Sequence, residues 1–398
     1  MADLSLDDKY TALTGEVVMS GIQALVRLPI DQHRRDQAAG LRTATLVSGY
    51  RGSPLGGLDL AFAQARRHAD EHDVRFLAGV NEDLAATAIY GSQLAHTYPG
   101  RRYDGVLGMW YGKGPGVDRS GDAFRHANTA GVGPNGGVLA VAGDDPSAKS
   151  STVGSASEFA LLDAGMPILY PGTVQEVLEL GLAGFALSRA CGSWVGLKIV
   201  TNVADAFSTV RLGDIAPFTM PPVEIDGRPW TPVQNPRLLA PHSIDQEREM
   251  HEGRAMATRT FLGANGINRI VDDRDGAWLG IVAAGKTYRD VLDALAMLGL
   301  DPAGAAALGV RILHLGALHP MEPGIVSRFA RGLDEILVVE EKRAFVELFL
   351  RDALYGTTGA PRIVGKFDEA GRGLLPGHGE LDADRIAPVL RARITARV

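Results

Sequence analysis

The first side chain with chemistry to offer is Glu82. It follows the short apolar strand Val74 to Gly79 and a natural N-cap, Asn81, and it opens a helix running to about His96. A carboxyl in such a place can hold or pass a proton. One βα unit earlier, Ser48-Gly49-Tyr50-Arg51-Gly52-Ser53-Pro54-Leu55-Gly56-Gly57 follows the strand Leu41 to Val47 and precedes a helical stretch, Gly57 to His72. Further on, the strand Gly137 to Ala142 ends in Gly143-Asp144-Asp145-Pro146. All three stretches fall at carboxyl ends of strands, where open parallel sheets place their ligands. Each also has an ordinary explanation. A glutamate in a first helical turn is favoured by the helix dipole, a glycine-rich decapeptide makes a tight loop, and Asp-Asp-Pro makes a turn.

The elements that must position these residues read as alternating strands and helices. Thr14 caps a first helix with Val17, Val18, Ile22, Leu25 and Val26 on one face, and Pro29 kinks or ends it. Beyond the units above come a strand Tyr103 to Met109, a helix Asp118 to Ala130, a short helix near Ser157 and a strand Pro167 to Tyr170. A helix Thr173 to Arg189 and a strand Trp194 to Val200 complete a doubly wound α/β domain. Seven prolines between 217 and 241 forbid regular structure and mark an interdomain crossing. A polar helix from about Ser243 to Leu262 leads to a second, smaller α/β unit. Its strands are Leu279 to Ala283, Val310 to Leu315 and Glu335 to Val339, and its helices Thr287 to Leu298 and Gly324 to Ala330. Gly285-Lys286-Thr287 and Glu340-Glu341-Lys342 stand at its strand ends.

Composition narrows the function classes. A chain of 398 residues with 45% apolar content suits roughly two to three domains with sizeable cores. A net charge of −7 with interspersed signs offers no basic face to nucleic acid and no polybasic patch to a membrane. No run approaches the roughly 18 apolar residues of a membrane span, and the amino terminus lacks the pattern of a signal peptide, so a cytoplasmic protein is expected. The single cysteine, Cys191, excludes an internal disulfide or a cysteine-rich cluster and reads as a buried small hydrophobe.

Several motifs are set aside. Gly131-Val132-Gly133-Pro134-Asn135-Gly136 fits G-x-G-x-x-G but follows a helix and precedes a strand, so it is a turn. Gly108 to Lys113 has the wrong spacing for a phosphate loop, with Gly114 where Ser or Thr would bind magnesium. His314 and His319 lack a further ligand at metal spacing, and no metal site is expected.

In combination and order, the motifs say more. Ser48 to Gly56, Asn81-Glu82, Val141 to Ser151 and Tyr170 to Val177 together resemble the thiamine-diphosphate-dependent 2-oxoacid:ferredoxin oxidoreductases, most closely the indolepyruvate branch. Residues 1–205 look like that family's pyrimidine-binding domain, and residues 278–345, ending in Val338-Val339-Glu340-Glu341, like its transketolase C-terminal-like domain. The chain then divides into a thiamine-binding-like domain over 1–210, a linker with its helix over 211–270, and the second domain over 271–398.

The resemblance gives Glu82 the role of the glutamate that hydrogen-bonds N1′ of the cofactor's aminopyrimidine and thereby promotes loss of the thiazolium C2 proton. It places Gly52, Ser53 and Pro54 at the cofactor, with Ser53 where the family usually has threonine. Arg51, Ser53, Asp144, Ser150 and Ser151 fall near the substrate, and Arg51 reads equally as a carboxylate partner or a surface ion-pair residue. The implied reaction is oxidative decarboxylation of a 2-oxoacid, an arylpyruvate such as indolepyruvate, with coenzyme A taking the acyl group and ferredoxin the electrons. No Gly-Asp-Gly for Mg²⁺ and no cluster cysteines occur here. Mg²⁺ and the 4Fe-4S clusters are therefore expected on a diphosphate-binding domain or partner subunit, alongside a small catalytic component, in a dimer. The chain would be an amino-terminal portion of a longer polypeptide or a split subunit. A thiamine enzyme that does not use ferredoxin, and a non-catalytic assembly subunit, are the alternatives.

Overall fold

The computed structural model describes residues 5–397; the first four residues of the acidic amino terminus and Val398 lie outside the described residues. In chain order the strands are β1 (Gly15–Ser20), β2 (Thr43–Gly49), β3 (Val74–Ala78), β4 (Gly105–Lys113), β5 (Gly137–Asp144), β6 (Ile168–Leu169), β7 (Val195–Val200) and β8 (Phe207–Leu212). They continue with β9 (Val223–Ile225), β10 (Arg228–Trp230), β11 (Asn268–Ile270), β12 (Leu279–Ala284), β13 (Val310–Leu315), β14 (Ala317–His319), β15 (Glu335–Val339) and β16 (Arg362–Val364).

The larger sheet has the order β14-β6-β7-β5-β4-β2-β3, parallel except for β14. Strands β4, β5 and β7 are buried along nearly their whole length, as central parallel strands must be, and their sequences are correspondingly almost continuous apolar runs. From β2 the chain runs outward to β3, whereas from β4 it runs the other way to β5. The connections thus diverge between β2 and β4, and such a divergence opens a crevice at the carboxyl ends of the two strands.

The smaller sheet, β11-β13-β12-β15-β16, repeats the device. Its connections diverge between β12 and β15, and only β11 is antiparallel. Leu279, Ile281, Leu337 and Val339 lie in its own core with Ile386 and Leu390 of the helix Ala383–Thr395.

The structure corrects three readings. The residues after Thr14 form no helix. They make β1, which pairs with β8 as an antiparallel ribbon, because β-branched Val17 and Val18 suit an extended chain. The helix starts at Gly21, capped by Ser20 and Gln23 in a reciprocal box, and runs through Pro29 to Ala38 without ending there. The proline-rich crossing is not wholly irregular either: β9 and β10 form a small hairpin, with Pro229 in the outer strand of a two-stranded sheet where its missing N–H costs little. Two further features were not anticipated. A strand from beyond the crossing, β14, adds itself to the larger sheet, and a short helix, Gly114–Arg119, follows β4 directly.

Candidate functional site

Glu82 is placed by its cap and by a tryptophan. The Asn81 side-chain oxygen accepts the Leu84 N–H at 2.8 Å, which fixes the start of the helix Glu82–Gln93. The indole of Trp110, fully buried in β4 and edge-on to Phe124, donates to the Glu82 carbonyl at 2.9 Å. The residue is only 8% exposed, and its side chain lies across the carboxyl end of β4. A Cβ on Gly116 would fall 2.6 Å from the Glu82 Cγ and 2.9 Å from Oε1, and one on Gly112 would fall 3.4 Å from Cγ. The slot therefore exists because Gly116 carries no side chain, while Gly112 is kept bare by the Trp110 indole, 2.6 Å from where its Cβ would lie. Among the described residues no cation or donor pairs with this carboxylate, so its oxygens are free to accept from a ligand.

The slot can be tested without touching the acid. Gly116→Ala replaces a helical glycine, which by propensity stabilises slightly, yet the added methyl must displace the Glu82 side chain. The expected result is a modest stability loss of about 1–2 kcal/mol from overpacking, with activity of the assembled enzyme reduced about ten-fold or more, since a 1 Å misplacement is worth that much. Equal loss of stability and activity would show that the slot matters only for folding.

The glycine-rich loop reaches the neighbouring strand ends. Pro54 and buried Leu55 lie over Gly143 of β5, whose hypothetical Cβ would meet them at 3.0 and 2.9 Å, and Gly52 packs on the Lys113 stem at the end of β4. Ser150 donates a hydrogen bond to the Ser53 hydroxyl. That contact is prepared by Asp145, which accepts the N–H groups of Lys149, Ser150 and Ser151 at 3.1, 2.9 and 3.1 Å. Burial pushes the Asp145 carboxyl up, but these N–H groups outweigh it and hold it below the usual range. Gly52, Ser53, Pro54, Ser150, Ser151 and Glu82 thus gather along one edge of one sheet. Arg51 is exposed, with no ion pair among the described residues.

Asp144 is different. It is wholly buried, accepts the Ser157 N–H at 2.9 Å and the Ser157 hydroxyl at 2.7 Å, and faces the Lys198 ammonium at 3.7 Å. It has no surface to offer a substrate and supports the loop from behind.

Lys198 belongs to the second crevice, which the sequence reading missed. Tyr170-Pro171-Gly172, leaving β6, presses on Gly285 at the end of β12. A Cβ on Gly172 would fall 2.3 Å from the Gly285 carbonyl, and Gly285 itself, at φ +48°, admits only the Tyr170 ring beside it. Lys198 pairs with Glu158, lies 4.7 Å from the Tyr170 ring centre, and feels the charge of Glu341, two residues past β15, which itself faces Lys286 at 3.8 Å. Burial alone would depress its pKa, but Glu158, Tyr170, Asp144 and Glu341 outweigh it and hold the ammonium above its usual range. The smaller sheet's crevice is therefore plugged by the larger sheet, leaving a cavity of about 20 Å³ into which Tyr170 and Glu341 face. At its rim the Glu340 carboxylate accepts the N–H groups of Phe345, Val346 and Glu347 at 3.0, 2.7 and 3.2 Å, starting the helix Val346–Leu354.

The two histidines set aside as metal ligands are both drawn inward. Among the described residues no group of three or more His, Cys, Asp or Glu side chains is arranged to hold a metal ion. His314 stacks on Tyr288 at 3.8 Å between ring centres, and its Nε2 lies 3.8 Å from Glu176. Burial first, then Arg269 and Arg289, push its pKa from 6.5 down to about 3. The unfolded chain therefore takes up a proton near pH 6.5 that the folded chain refuses, so stability present at pH 7 is lost as the pH falls. His314→Gln should flatten this acid-side loss between pH 7 and pH 5 by about 2 kcal/mol in denaturant melts, and equal slopes in both proteins would refute the assignment.

No helix among the described residues is long and apolar enough to cross a membrane. Two parallel sheets joined in this way define the fold class of the 2-oxoacid:ferredoxin oxidoreductases and transketolases. The chain superposes on a 2-oxoglutarate:ferredoxin oxidoreductase from Magnetococcus marinus, solved with 2-oxoglutarate, coenzyme A and succinyl-CoA bound. The TM-score is 0.68 at 15% identity, over 96% of this chain and 66% of that one. A split-gene transketolase, an inactive tetramer, follows at TM-score 0.54 and 15% identity, over 96% of this chain and 99% of that one.

In sequence, residues 269–397 match the family "Indolepyruvate oxidoreductase domain". The chain is 26% identical over 386 residues to the indolepyruvate oxidoreductase subunit IorA of Archaeoglobus fulgidus, covering 96% of this chain and 54% of that protein. It is 27% identical over 353 residues to the IorA of Methanothermobacter marburgensis, covering 86% and 50%. With the IorA of Pyrococcus horikoshii the identity is 29% over 255 residues, 61% and 36% of the two chains. The chain is thus similar along most of its length to indolepyruvate oxidoreductase subunits, and its second unit matches the domain named for them. It spans about half the length of the curated relatives it matches.

Proposed function

We propose that this chain supplies the pyrimidine-side half of a thiamine diphosphate site in a 2-oxoacid:ferredoxin oxidoreductase, with Glu82 as the carboxylate that activates the cofactor. The observation that carries this reading is the Glu82 slot: an unpaired carboxylate on a largely buried residue, lying against two glycines at a divergence point of a parallel sheet. The donor set fits the cofactor's aminopyrimidine, a flat ring needing one carboxylate at its edge and close backbone approach at its face. Glu82 would hold N1′, and the Gly52-Ser53-Pro54 loop would border the ring. When bound, the cofactor supplies an electron sink for loss of CO₂ from a 2-oxoacid. This chain's own part is to orient the ring, exclude water from the shared proton, and present Ser53, Ser150, Ser151 and Arg51 to the substrate carboxylate.

The substrate class is an arylpyruvate, indolepyruvate first, on the strength of the relatives' names; coenzyme A and ferredoxin enter by analogy with the Magnetococcus enzyme. A diphosphate-binding domain or subunit, carrying Mg²⁺ and the 4Fe-4S clusters, completes the site, with a small catalytic component beside it, in a cytoplasmic dimer. Support for an apposed partner comes from the free edge of the larger sheet. Leu77 and Val80 at the end of β3, Leu84 two residues past Glu82, and Tyr50 in the glycine-rich loop are 55%, 81%, 51% and 40% exposed. Apolar side chains grouped beside a candidate site mark a docking face.

Calorimetry with thiamine diphosphate and Mg²⁺ tests the reading. Binding should be absent or weak for this chain alone and at least about 100-fold tighter with the diphosphate-binding partner restored, as expected when half the contacts come from the other side. Tight binding by the isolated chain, or none by the complex, would overturn it.

A further inference from the structure

The contacts between the two sheets converge on one loop of the candidate site. The segment from Asp145 to Ser155 carries Ser150, which touches Ser53; the Asp145 carboxylate gathers the N–H groups of residues 149–151, and its backbone N–H donates to the Ser155 hydroxyl at 3.1 Å, closing the loop. The closed loop is then gripped from the other sheet. Lys342, three residues past β15, adopts a left-handed backbone at φ +56°, unusual for a side chain of its length, and this aims its ammonium across the interface. There it donates to the Pro146 carbonyl and passes so close to Gly154 that a Cβ on that glycine would lie 2.8 Å from Nζ. Both ends of the loop are thus held by one side chain. Beside it, Arg343 stacks 4.2 Å over the Phe159 ring and Phe345 meets the same ring edge-on at 5.1 Å. A second tie comes from Glu380, which pairs with Lys149 at 3.6 Å and accepts from Asn202 at 2.8 Å while Lys286 anchors it at 3.2 Å.

We propose that Lys342 is a positioning residue for the candidate substrate site: through Pro146 and Gly154 it fixes the loop that presents Ser150 and Ser151, so that the second sheet governs how the first holds a 2-oxoacid. The assignment rests on reading the first crevice as the thiamine site. It gives the smaller sheet a purpose that its own plugged crevice cannot have. A hydrogen-bond donor and not merely a bulky side chain is needed, because the contact is an N–H donated to a carbonyl, which arginine can supply and methionine cannot.

Two measurements on Lys342→Met and Lys342→Arg decide it. In hydrogen–deuterium exchange of the full chain, the amides of residues 147–154 should exchange about ten-fold or more faster in Lys342→Met and return toward wild type in Lys342→Arg, with the helix Glu82–Gln93 unchanged. In the assembled enzyme assayed with indolepyruvate, Lys342→Met should raise KM about five- to ten-fold with kcat within about two-fold, the signature of lost substrate positioning. Unchanged exchange in the loop overturns the proposal, and so does faster exchange with an unchanged KM. Failure of the thiamine reading shows separately, as a Glu82→Gln enzyme no less active than wild type. Should Lys342→Met not fold, Glu380→Gln loosens the same loop from its other tie, with the same predicted exchange and KM shifts.

Discussion

Glu82→Gln should fold as well as the parent chain, assemble with the same partners, and lower turnover of the assembled enzyme by about 10²- to 10⁴-fold, the range typical for loss of a positioned general acid–base group. The folding part of the prediction follows from the contacts. The Glu82 backbone, through its carbonyl, is what Trp110 holds, and the helix start depends on Asn81; neither needs the carboxylate. Glutamine fills the same slot against Gly112 and Gly116. What it cannot do is share a proton with a ring nitrogen, because an amide neither gives one up nor carries the compensating charge. A carboxylate left unpaired in a shielded slot has no evident structural task, so its replacement by an isostere separates chemistry from architecture. Activity within about two-fold of wild type, assayed on a properly assembled enzyme, would remove Glu82 from the mechanism.

The largest expected stability change lies at the plug between the sheets. Lys198→Met removes the cation facing both Glu158 and Asp144, two carboxylates that the fold has taken out of water. Breaking a buried ion cluster on one side typically costs about 3–5 kcal/mol, because the stranded charges must be protonated or rehydrated. Burial already raises the Asp144 pKa, with Glu158 adding to it and Lys198 and Ser157 opposing, so loss of the ammonium drives it higher still. The variant should therefore be least impaired at low pH, where Asp144 is neutral, and progressively weaker as the pH rises. The double substitution Lys198→Met with Glu158→Gln should recover part of the loss, since one of the stranded charges is gone. Denaturant melts at two pH values check the pattern, and a single variant as stable as wild type at neutral pH would contradict the assignment of Lys198 as the counter-charge.

The site's legibility in the sequence follows the range of the contacts that build it. Asn81-Glu82 and the loop from Ser48 to Gly57 are local: a cap, an apolar run and a cluster of glycines announce a strand end, and the structure has them at the edge expected of a parallel sheet. The stretch Gly108 to Gly114 is equally visible but reads only as a failed phosphate loop. The glycines at 112, 114 and 116 are each bare for a different neighbour, Trp110, Ser155 and Glu82 in turn, and the one that matters to the site, Gly116, answers a side chain some thirty residues away in sequence. Asp144 reads as a candidate because it opens the same strand-end loop as Ser150 and Ser151; only the placement of Lys198 and Ser157 turns it inward. The plug is wholly non-local, since Glu158, Tyr170, Lys198, Gly285 and Glu341 come from both sheets and no spacing links them. The amino-terminal ribbon escaped notice for a different reason. Val17 and Val18 satisfy a helical stripe and an extended strand alike, and pairing with β8 decides between them.

The most direct test of the central claim is exchange of the cofactor's C2 proton with deuterium, followed by quenched NMR on the assembled enzyme without substrate. That rate depends on the proton shared at N1′ and on nothing downstream of it. If Glu82 is the activating carboxylate, exchange in Glu82→Gln should be at least about 100-fold slower than in wild type at equal cofactor occupancy. Equal rates in the two proteins would contradict the account at its root.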